Sequence, residues 1–196
     1  MQLTSLSTRT NFSYAFCVAA ARQNHTNCFT KISLLQRRYG AKGVSVKTIE
    51  GDLIKLAIQG EFDVIIHGCN CFCTMGAGIA KGIKTEFPEA FKADFATEKG
   101  SKEKLGSFSS ATVVKNGHEI TIVNAYTQHH WRGKGVKADY DAIKQVFSLI
   151  KAKYSGKCIG YPLIGAGLAG GDWNVISSII DNALDNENHT LVKFAP

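Results

Sequence analysis

Two glycine-rich turns constrain the fold of this chain more than any other feature of its sequence. The first lies within His67–Ala80 and the second within Tyr161–Trp173, and each joins a predicted strand to a predicted helix. A turn of this kind presents free backbone N–H groups, and the dipole of the helix that follows also favours negative charge. Two such turns in one small domain predict a fold that holds a diphosphate between two loops.

Strands and helices alternate through residues 44–196. Apolar runs and alternating patterns predict strands at 44–50, 62–69, 107–115, 119–127, 158–164 and 190–194. Helical spacing and capping residues predict helices at 53–59, 78–86, 140–154 and 173–184. Asn116-Gly117 predicts a tight hairpin between the third and fourth strands. This order predicts an α/β fold, a three-layer α/β/α sandwich with a mixed, mostly parallel central sheet.

The first 43 residues differ from the rest in composition. They hold six basic residues and no acidic one, so residues 44–196 carry a net charge of only +1 out of the +7 of the whole chain. The segment has the composition of a mitochondrial or plastid transit peptide, although Tyr14–Ala21 leaves a short secretory signal open. A disordered extension or a wrongly chosen start codon are further alternatives. We therefore assign 1–43 as a leader and 44–196 as the folded domain.

The charge distribution and hydropathy also bear on partners and location. A nearly neutral domain gives no electrostatic case for nucleic-acid binding, and no apolar run approaches the roughly 20 residues that span a bilayer. We expect a monomer with neither nucleic acid nor membrane as a partner. The expected location is intracellular, in the cytoplasm or, if residues 1–43 are a transit peptide, in the mitochondrion.

Four candidate metal ligands follow one another in the first turn, namely His67, Cys69, Cys71 and Cys73. Structural zinc sites usually draw pairs of ligands from two separate segments, and no second pair is evident here. We therefore predict no metal, and expect small thiols packed beneath the loop. Cysteines two residues apart are too close for ordinary pairing with one another, which favours a reducing compartment.

Two other motifs allow alternative interpretations. Gly165–Gly170 matches the dinucleotide fingerprint G-x-G-x-x-G, but only one helix and one strand follow it, whereas the fingerprint normally opens a dinucleotide-binding fold. A phosphate-binding turn of another fold fits better, and glycines that serve only a tight turn are the alternative. His129–Gly135 is either a solvated surface loop or a flap with His or Arg near a phosphate.

Taken together, Glu50–Leu53, His67–Ala80 and Ile164–Trp173 resemble the macro domain family, whose members are α/β/α modules that bind ADP-ribose. The resemblance covers about residues 44–196 and is nearest to the branch that processes ADP-ribose 1''-phosphate. It implies ADP-ribose or a derivative as the ligand, with no cofactor. The ligand-binding residues that it implies are Asp52, Leu53, Gly76, Gly78, Ile79, Ala80, Gly165, Ala166, Gly167, Leu168 and Ala169.

The same resemblance implies a phosphatase that releases phosphate from ADP-ribose 1''-phosphate. His67 is the leading general acid or base and Asn70 would hydrogen-bond the distal ribose, so these two are the predicted catalytic residues. A core histidine beneath the loop is the alternative for His67. Asp52 would accept from the adenine amino group or only cap a helix, and Phe194 is a candidate for stacking on adenine.

A related branch removes ADP-ribose from acidic side chains with a lysine and an aspartate. These would fall near Gln128 and at Ala169, so this chain lacks both groups. The departure favours the phosphatase. A non-catalytic ADP-ribose reader and a hydrolase of ADP-ribosyl or O-acetyl-ADP-ribose esters remain alternatives, and a dinucleotide-dependent dehydrogenase ranks last.

Overall fold

The computed structural model describes residues 47–195, which form six strands and five α-helices. The strands are β1 (Lys47–Gly51), β2 (Val64–Asn70), β3 (Phe108–Lys115), β4 (His118–Gln128), β5 (Ile159–Tyr161) and β6 (His189–Phe194). The helices are α1 (Leu53–Ile58), α2 (Gly78–Glu86), α3 (Pro88–Phe95), α4 (Tyr140–Tyr154) and α5 (Trp173–Ala183). The leader assigned to residues 1–43 lies outside the described residues.

The strands form one sheet in the order β1-β6-β5-β2-β4-β3. The first five strands of that order are mutually parallel, and β3 alone runs antiparallel, as the second partner of β4 in the hairpin. The carboxyl ends of the five parallel strands therefore share one edge of the sheet. Ligands of open α/β sheets bind at such an edge.

Helices cover both faces of the sheet. Ile66 and Val123 pack with α4 and α5 on one face, and Ile65 and Ile122 pack with α1, α2 and α3 on the other. Alternate residues of β2 thus enter different cores, which is why this strand is apolar on both sides. The three-layer α/β/α sandwich with a mixed, mostly parallel sheet is confirmed. No helix within residues 47–195 is long and apolar enough to cross a membrane.

The main differences from the predicted elements occur at proline residues. Phe87 ends α2, and Pro88 then occupies the first turn of α3, a helix that the sequence analysis did not predict. Strand β5 is three residues long rather than the predicted seven, because Pro162 has no N–H to donate and its carbonyl accepts from Ile164 N in a turn. The second glycine-rich segment consequently begins earlier than expected.

Candidate functional site

The two glycine-rich turns lie side by side at the carboxyl edge of the sheet. Loop 1 (residues 71–77) follows β2 and loop 2 (residues 162–172) follows β5, and these two strands are neighbours in the sheet. A Cβ atom built on Gly78 would lie 3.8 Å from Leu168 Cδ1, so the two segments are in contact range. The structure therefore brings together the predicted ligand-binding groups, Gly76–Ala80 and Gly165–Ala169.

Helix α2 begins without a capping side chain. Ala77 occupies the N-cap position and supplies none, whereas Asp52, Asp139 and Asp172 cap α1, α4 and α5 with their carboxylates. The N–H groups of Gly78–Ala80 donate to no acceptor among residues 47–195. Because unsatisfied N–H groups and the helix dipole both attract anions, this helix start can bind a phosphate.

Loop 2 also presents unpaired donors. The Gly170 N–H donates to Gly167 O at 3.0 Å and the Gly171 N–H to Gly165 O at 2.8 Å, so the turn is closed by its own backbone. Within the described part of the chain, the N–H groups of Gly167, Leu168 and Ala169 donate to no acceptor. A second set of backbone donors thus borders the start of α2.

The glycines of these loops divide into two kinds. Gly165 has φ +74°, and a Cβ there would meet Ile176 Cδ1 at 3.0 Å, so folding itself requires glycine. Gly167 has neither constraint, because a Cβ there would meet no described atom within 4 Å. Gly76 is similarly open, with only Thr74 O at 3.8 Å. Neither packing nor a positive φ therefore requires glycine at these two positions.

Asn70 shapes loop 1 with both ends of its amide. Its Oδ1 accepts from the Phe72 N–H at 2.8 Å, and its Nδ2 donates to Thr74 Oγ1 at 2.7 Å. This arrangement is an Asx turn at the point where β2 departs from regular pairing with β4, between Cys69 and Asn70. Since the Thr74 oxygen accepts from Asn70, its hydroxyl hydrogen is free to donate to a ligand.

The structure argues against His67 as the general acid or base. Its side chain is fully buried, and its Nε2 lies 2.8 Å from Asn124 Oδ1. Asn124 Nδ2 donates to Ala90 O, so Asn124 Oδ1 is the acceptor and neutral His67 carries its proton on Nε2. Burial lowers the pKa of His67 to about 4. His67 is thus buried beneath α3 and has no exposed surface toward the loops, which is the placement that the core-histidine alternative expects.

A buried lysine supports loop 1 from below. Lys104 Nζ donates to Cys71 O at 3.2 Å and to Cys73 Sγ at 3.3 Å, and lies 3.7 Å from Asp94 Oδ1. The Cys73 thiol in turn donates to Asp94 O at 3.1 Å. Cys73 adopts φ +55°, a strained value for a residue other than glycine. These contacts hold the backbone of loop 1 in place.

The thiols of the first turn pack beneath loop 1 as predicted. Cys69, Cys71 and Cys73 are all free and buried. Burial raises the pKa of Cys69 and of Cys71, so both stay protonated at neutral pH. Residues 47–195 contain no group of three or more His, Cys, Asp or Glu side chains placed to hold a metal ion. Cys69 and Cys71 pack against Met75 and Tyr126.

Asp52 and Leu53 lie at the same edge, after β1 at the outer end of the sheet. Asp52 Oδ1 accepts from the N–H groups of Ile54 and Lys55, at 2.9 and 3.3 Å, so Asp52 is a helix cap. Its second oxygen lies 3.9 Å from Lys55 Nζ and remains partly exposed. Leu53 is buried in the core. Phe194, at the end of β6, is 75% exposed at this edge.

The sequence profile of the Macro domain family matches residues 66–180 of this chain. That segment includes loop 1, loop 2 and the strands before them. The chain belongs to the Macro domain family.

Individual relatives agree with this assignment. An uncharacterized 17.5 kDa protein encoded in the tk-vs intergenic region of enterobacteria phage T4 is 34% identical over 156 residues, which cover 77% of this chain and 97% of the phage protein. The macrodomain of Mycobacterium tuberculosis DarG superimposes with a TM-score of 0.60 at 20% identity, covering 79% of this chain and 99% of that one. Thermosipho africanus DarTG in complex with ADP-ribose gives a TM-score of 0.55 at 16% identity, covering 79% of this chain and 43% of that one. At such identities the two structures share the fold.

The sequence analysis did not identify three residues of this candidate site. Thr74 and Lys104 act through side-chain contacts that depend on how loop 1 bends, and no spacing rule signals them. Gln128 was considered only as the position of a missing lysine. In the structure it pairs with Asn70 in the β2–β4 register, and its side-chain amide has no partner among residues 47–195. A polar residue directly after the predicted strand 119–127 was the available signal.

Proposed function

We propose that this Macro domain binds ADP-ribose across the carboxyl edge of its sheet and hydrolyses ADP-ribose 1''-phosphate. One observation supports the binding: two sets of backbone N–H groups that have no acceptor among residues 47–195 lie next to each other, one at the uncapped start of α2 and one in loop 2. Such paired donors suit the two phosphates of a diphosphate. The ADP-ribose named in the T. africanus complex and the ADP named in a Trypanosoma brucei macrodomain complex support the same ligand class.

The strand order sets the orientation in which the ligand would lie along the edge of the sheet. Asp52 follows β1 at one end of the edge and would accept from the adenine amino group with Oδ2, the oxygen that does not cap α1. Loops 1 and 2 would hold the diphosphate between Gly76–Ala80 and Gly165–Ala169. The distal ribose would then lie at the ends of β2 and β4, beside Asn70, Thr74 and Gln128.

Hydrolysis at the 1'' position requires water to bond to phosphorus as the bond between phosphorus and the ribose 1'' oxygen breaks. The leaving oxygen takes up the proton that the attacking water gives up, so ADP-ribose and inorganic phosphate form. Backbone N–H groups of the loops would stabilise the added negative charge. His67 takes no part in this proposal, because it is buried and neutral. Thr74 and Gln128 are the polar side chains available to position the water.

A non-catalytic ADP-ribose reader is the second candidate, and a specific observation favours it. The two groups that the sequence nominated for catalysis are both committed elsewhere, since His67 bonds to Asn124 and both ends of the Asn70 amide are used within loop 1. A pocket without a free acid or base would bind ADP-ribose and release it unchanged.

The deciding experiment measures two quantities on the full chain: calorimetric binding of ADP-ribose, with AMP as the control ligand, and phosphate release from ADP-ribose 1''-phosphate. We expect ADP-ribose to bind, AMP to bind far more weakly, and phosphate to be released by the wild type and by His67→Gln alike. Binding without phosphate release would replace the phosphatase with the reader or with a hydrolase of ADP-ribosyl esters. Absence of ADP-ribose binding would overturn the proposal as a whole.

A further inference from the structure

The segment between β4 and α4, residues 129–139, connects loop 1 to loop 2, and we call it the β4–α4 loop. At its start, the Cys71 N–H donates to His129 O at 3.1 Å, and the Phe72 ring lies 5.6 Å from that of Trp131. At its far end, the Lys137 N–H donates to Ala169 O at 2.7 Å. The loop therefore contacts both glycine-rich turns.

This loop carries three cationic side chains and one acidic one, Asp139, whose carboxylate caps α4. No acidic residue occurs between Glu119 and Asp139, whereas Arg132, Lys134 and Lys137 fall in that interval. Neither Arg132 nor Lys134 forms an ion pair within the described part of the chain. The segment 98–104 contacts His129 through a hydrogen bond at Gly100 O. It contains acidic residues and lysines in nearly equal number, so it does not neutralise the positive charge of the β4–α4 loop.

The position of the Arg132 side chain is set by aromatic neighbours. The His130 and Trp131 rings stack at 4.5 Å with an interplanar angle of 2°, and the Arg132 guanidinium carbon lies 5.2 Å from the Trp131 ring. The Arg132 N–H donates to His130 Nδ1 at 2.8 Å. Since Phe72 in loop 1 contacts both rings, the guanidinium is tied to the loop that borders the distal ribose.

We propose that Arg132, assisted by Lys134, binds an anionic group carried on the distal ribose and is the residue that selects ADP-ribose 1''-phosphate over ADP-ribose and over uncharged esters. This inference rests on the proposed function, because that function orients the ligand with its distal ribose toward β4. A guanidinium offers a planar fork of donors that matches phosphate oxygens, and no uncharged ester uses it equally well. The substrate class is therefore an ADP-ribose with a phosphate on its terminal sugar.

The test compares two ligands on three variants of the full chain. Arg132→Ala removes the fork, Arg132→Lys keeps the charge, and Lys157→Ala removes one exposed cation just before β5, at the opposite edge of the sheet. The readouts are the Kd for ADP-ribose and the kcat/KM for ADP-ribose 1''-phosphate. If the wild type binds ADP-ribose but does not release phosphate, the Kd for ADP-ribose 1''-phosphate replaces kcat/KM.

We expect Arg132→Ala to weaken the 1''-phosphate readout by about 10- to 100-fold, as for the loss of charge-assisted hydrogen bonds, with the Kd for ADP-ribose within about twofold of wild type. The 1''-phosphate readout of Arg132→Lys should lie between those of Arg132→Ala and the wild type, and the readout of Lys157→Ala should equal the wild-type value. An unchanged 1''-phosphate readout in Arg132→Ala, or an equal loss for both ligands, would overturn this inference while leaving the proposed function intact. A wild type that binds neither ligand would refute the proposed function itself.

Discussion

Loops 1 and 2 occupy equivalent places in the fold, after neighbouring parallel strands, yet they are held in different ways. Loop 1 depends on side chains, since Asn70 closes its first turn and Lys104 holds its backbone from below. Loop 2 depends on its own backbone and on glycine at crowded positions such as Gly165. The helices that follow also differ, because α5 is capped by Asp172 while α2 has no capping side chain.

In both loops, the groups that hold the loop in place differ from the groups that can bind a phosphate. Side chains hold loop 1 and leave the N–H groups at the start of α2 open for a ligand. Backbone hydrogen bonds hold loop 2 and leave the N–H groups of its turn exposed. Substitutions in loop 1 should therefore affect stability through buried polar groups, and the open glycine of loop 2 should affect binding alone.

The largest effect is expected for Lys104→Met, beneath loop 1. Removing the ammonium leaves Asp94 buried without its ion pair, and Asp94 Oδ2 already makes no hydrogen bond within residues 47–195. Breaking a buried pair in this way costs about 3–5 kcal/mol of unfolding free energy. Urea unfolding measures the loss, and the double variant Lys104→Met with Asp94→Asn should recover part of it. A loss below about 1 kcal/mol would mean that loop 1 does not depend on this lysine.

The next effect concerns His67 and pH. Its pKa is about 4 in the folded protein against 6.5 in the unfolded chain, so the unfolded chain takes up the proton first as the pH falls. The contribution of His67 is complete above pH 6.5 and is lost down to pH 4, a difference of about 3 kcal/mol. Urea unfolding of the wild type and of His67→Gln over that pH range measures the contribution of His67 to the unfolding free energy. Burial also lowers the pKa of His189, but His189 is present in both proteins and its effect cancels in the comparison. Parallel pH profiles for the two proteins would show that His67 is not the buried neutral group described here.

A pair of substitutions in loop 2 tests whether its two kinds of glycine are distinct. Gly167→Val should weaken ADP-ribose binding by about 100-fold with little change in unfolding temperature, because the added side chain blocks the N–H donors and its Cβ meets no described atom within 4 Å. Gly165→Val should instead destabilise the fold by about 2–3 kcal/mol, because of its positive φ and its contact with Ile176. Calorimetric binding and thermal unfolding separate the two effects. Equal loss of stability in both variants would remove the distinction.

The sequence predicted the parts of the molecule that obey local rules. Periodicity located α4 at Tyr140–Tyr154 in full, and Asn116-Gly117 located the β3–β4 hairpin. The two glycine-rich segments were predicted to hold one diphosphate between them, and in the structure they lie at one edge because the carboxyl ends of parallel strands meet there. Helix α3 was missed because Pro88 was interpreted only as the end of a helix, although proline also suits the first turn of a new one.

The catalytic assignment of His67 shows where sequence reasoning ends. Alternation along β2 indicates that His67 and Cys69 share one face, but not that the face at residue 67 lies beneath α3. That fact depends on Asn124 of β4 and Ala90 of α3, which are 57 and 23 residues away in the chain and are brought together only by the packed fold. Lys104 is a similar case, since a lysine in a polar segment gives no sign that it will be buried against Asp94.

The smallest expected effect concerns Asn70, and it distinguishes a role in holding loop 1 from a role in binding ADP-ribose. Asn70→Ala removes the acceptor for the Phe72 N–H and the donor to Thr74, which should cost about 1–2 kcal/mol of stability and weaken ADP-ribose binding about 10-fold. Asn70→Asp keeps the acceptor, so its stability should stay nearer to wild type. Its carboxylate, however, would lie beside the distal ribose of an anionic ligand and repel the ligand's negative charge, so its ADP-ribose binding should be weaker than that of Asn70→Ala. Stability and affinity would then rank the two variants in opposite orders, which a purely structural Asn70 cannot produce. If both measurements rank them in the same order, Asn70 only supports loop 1, and the distal ribose must be held by Thr74 and Gln128 instead.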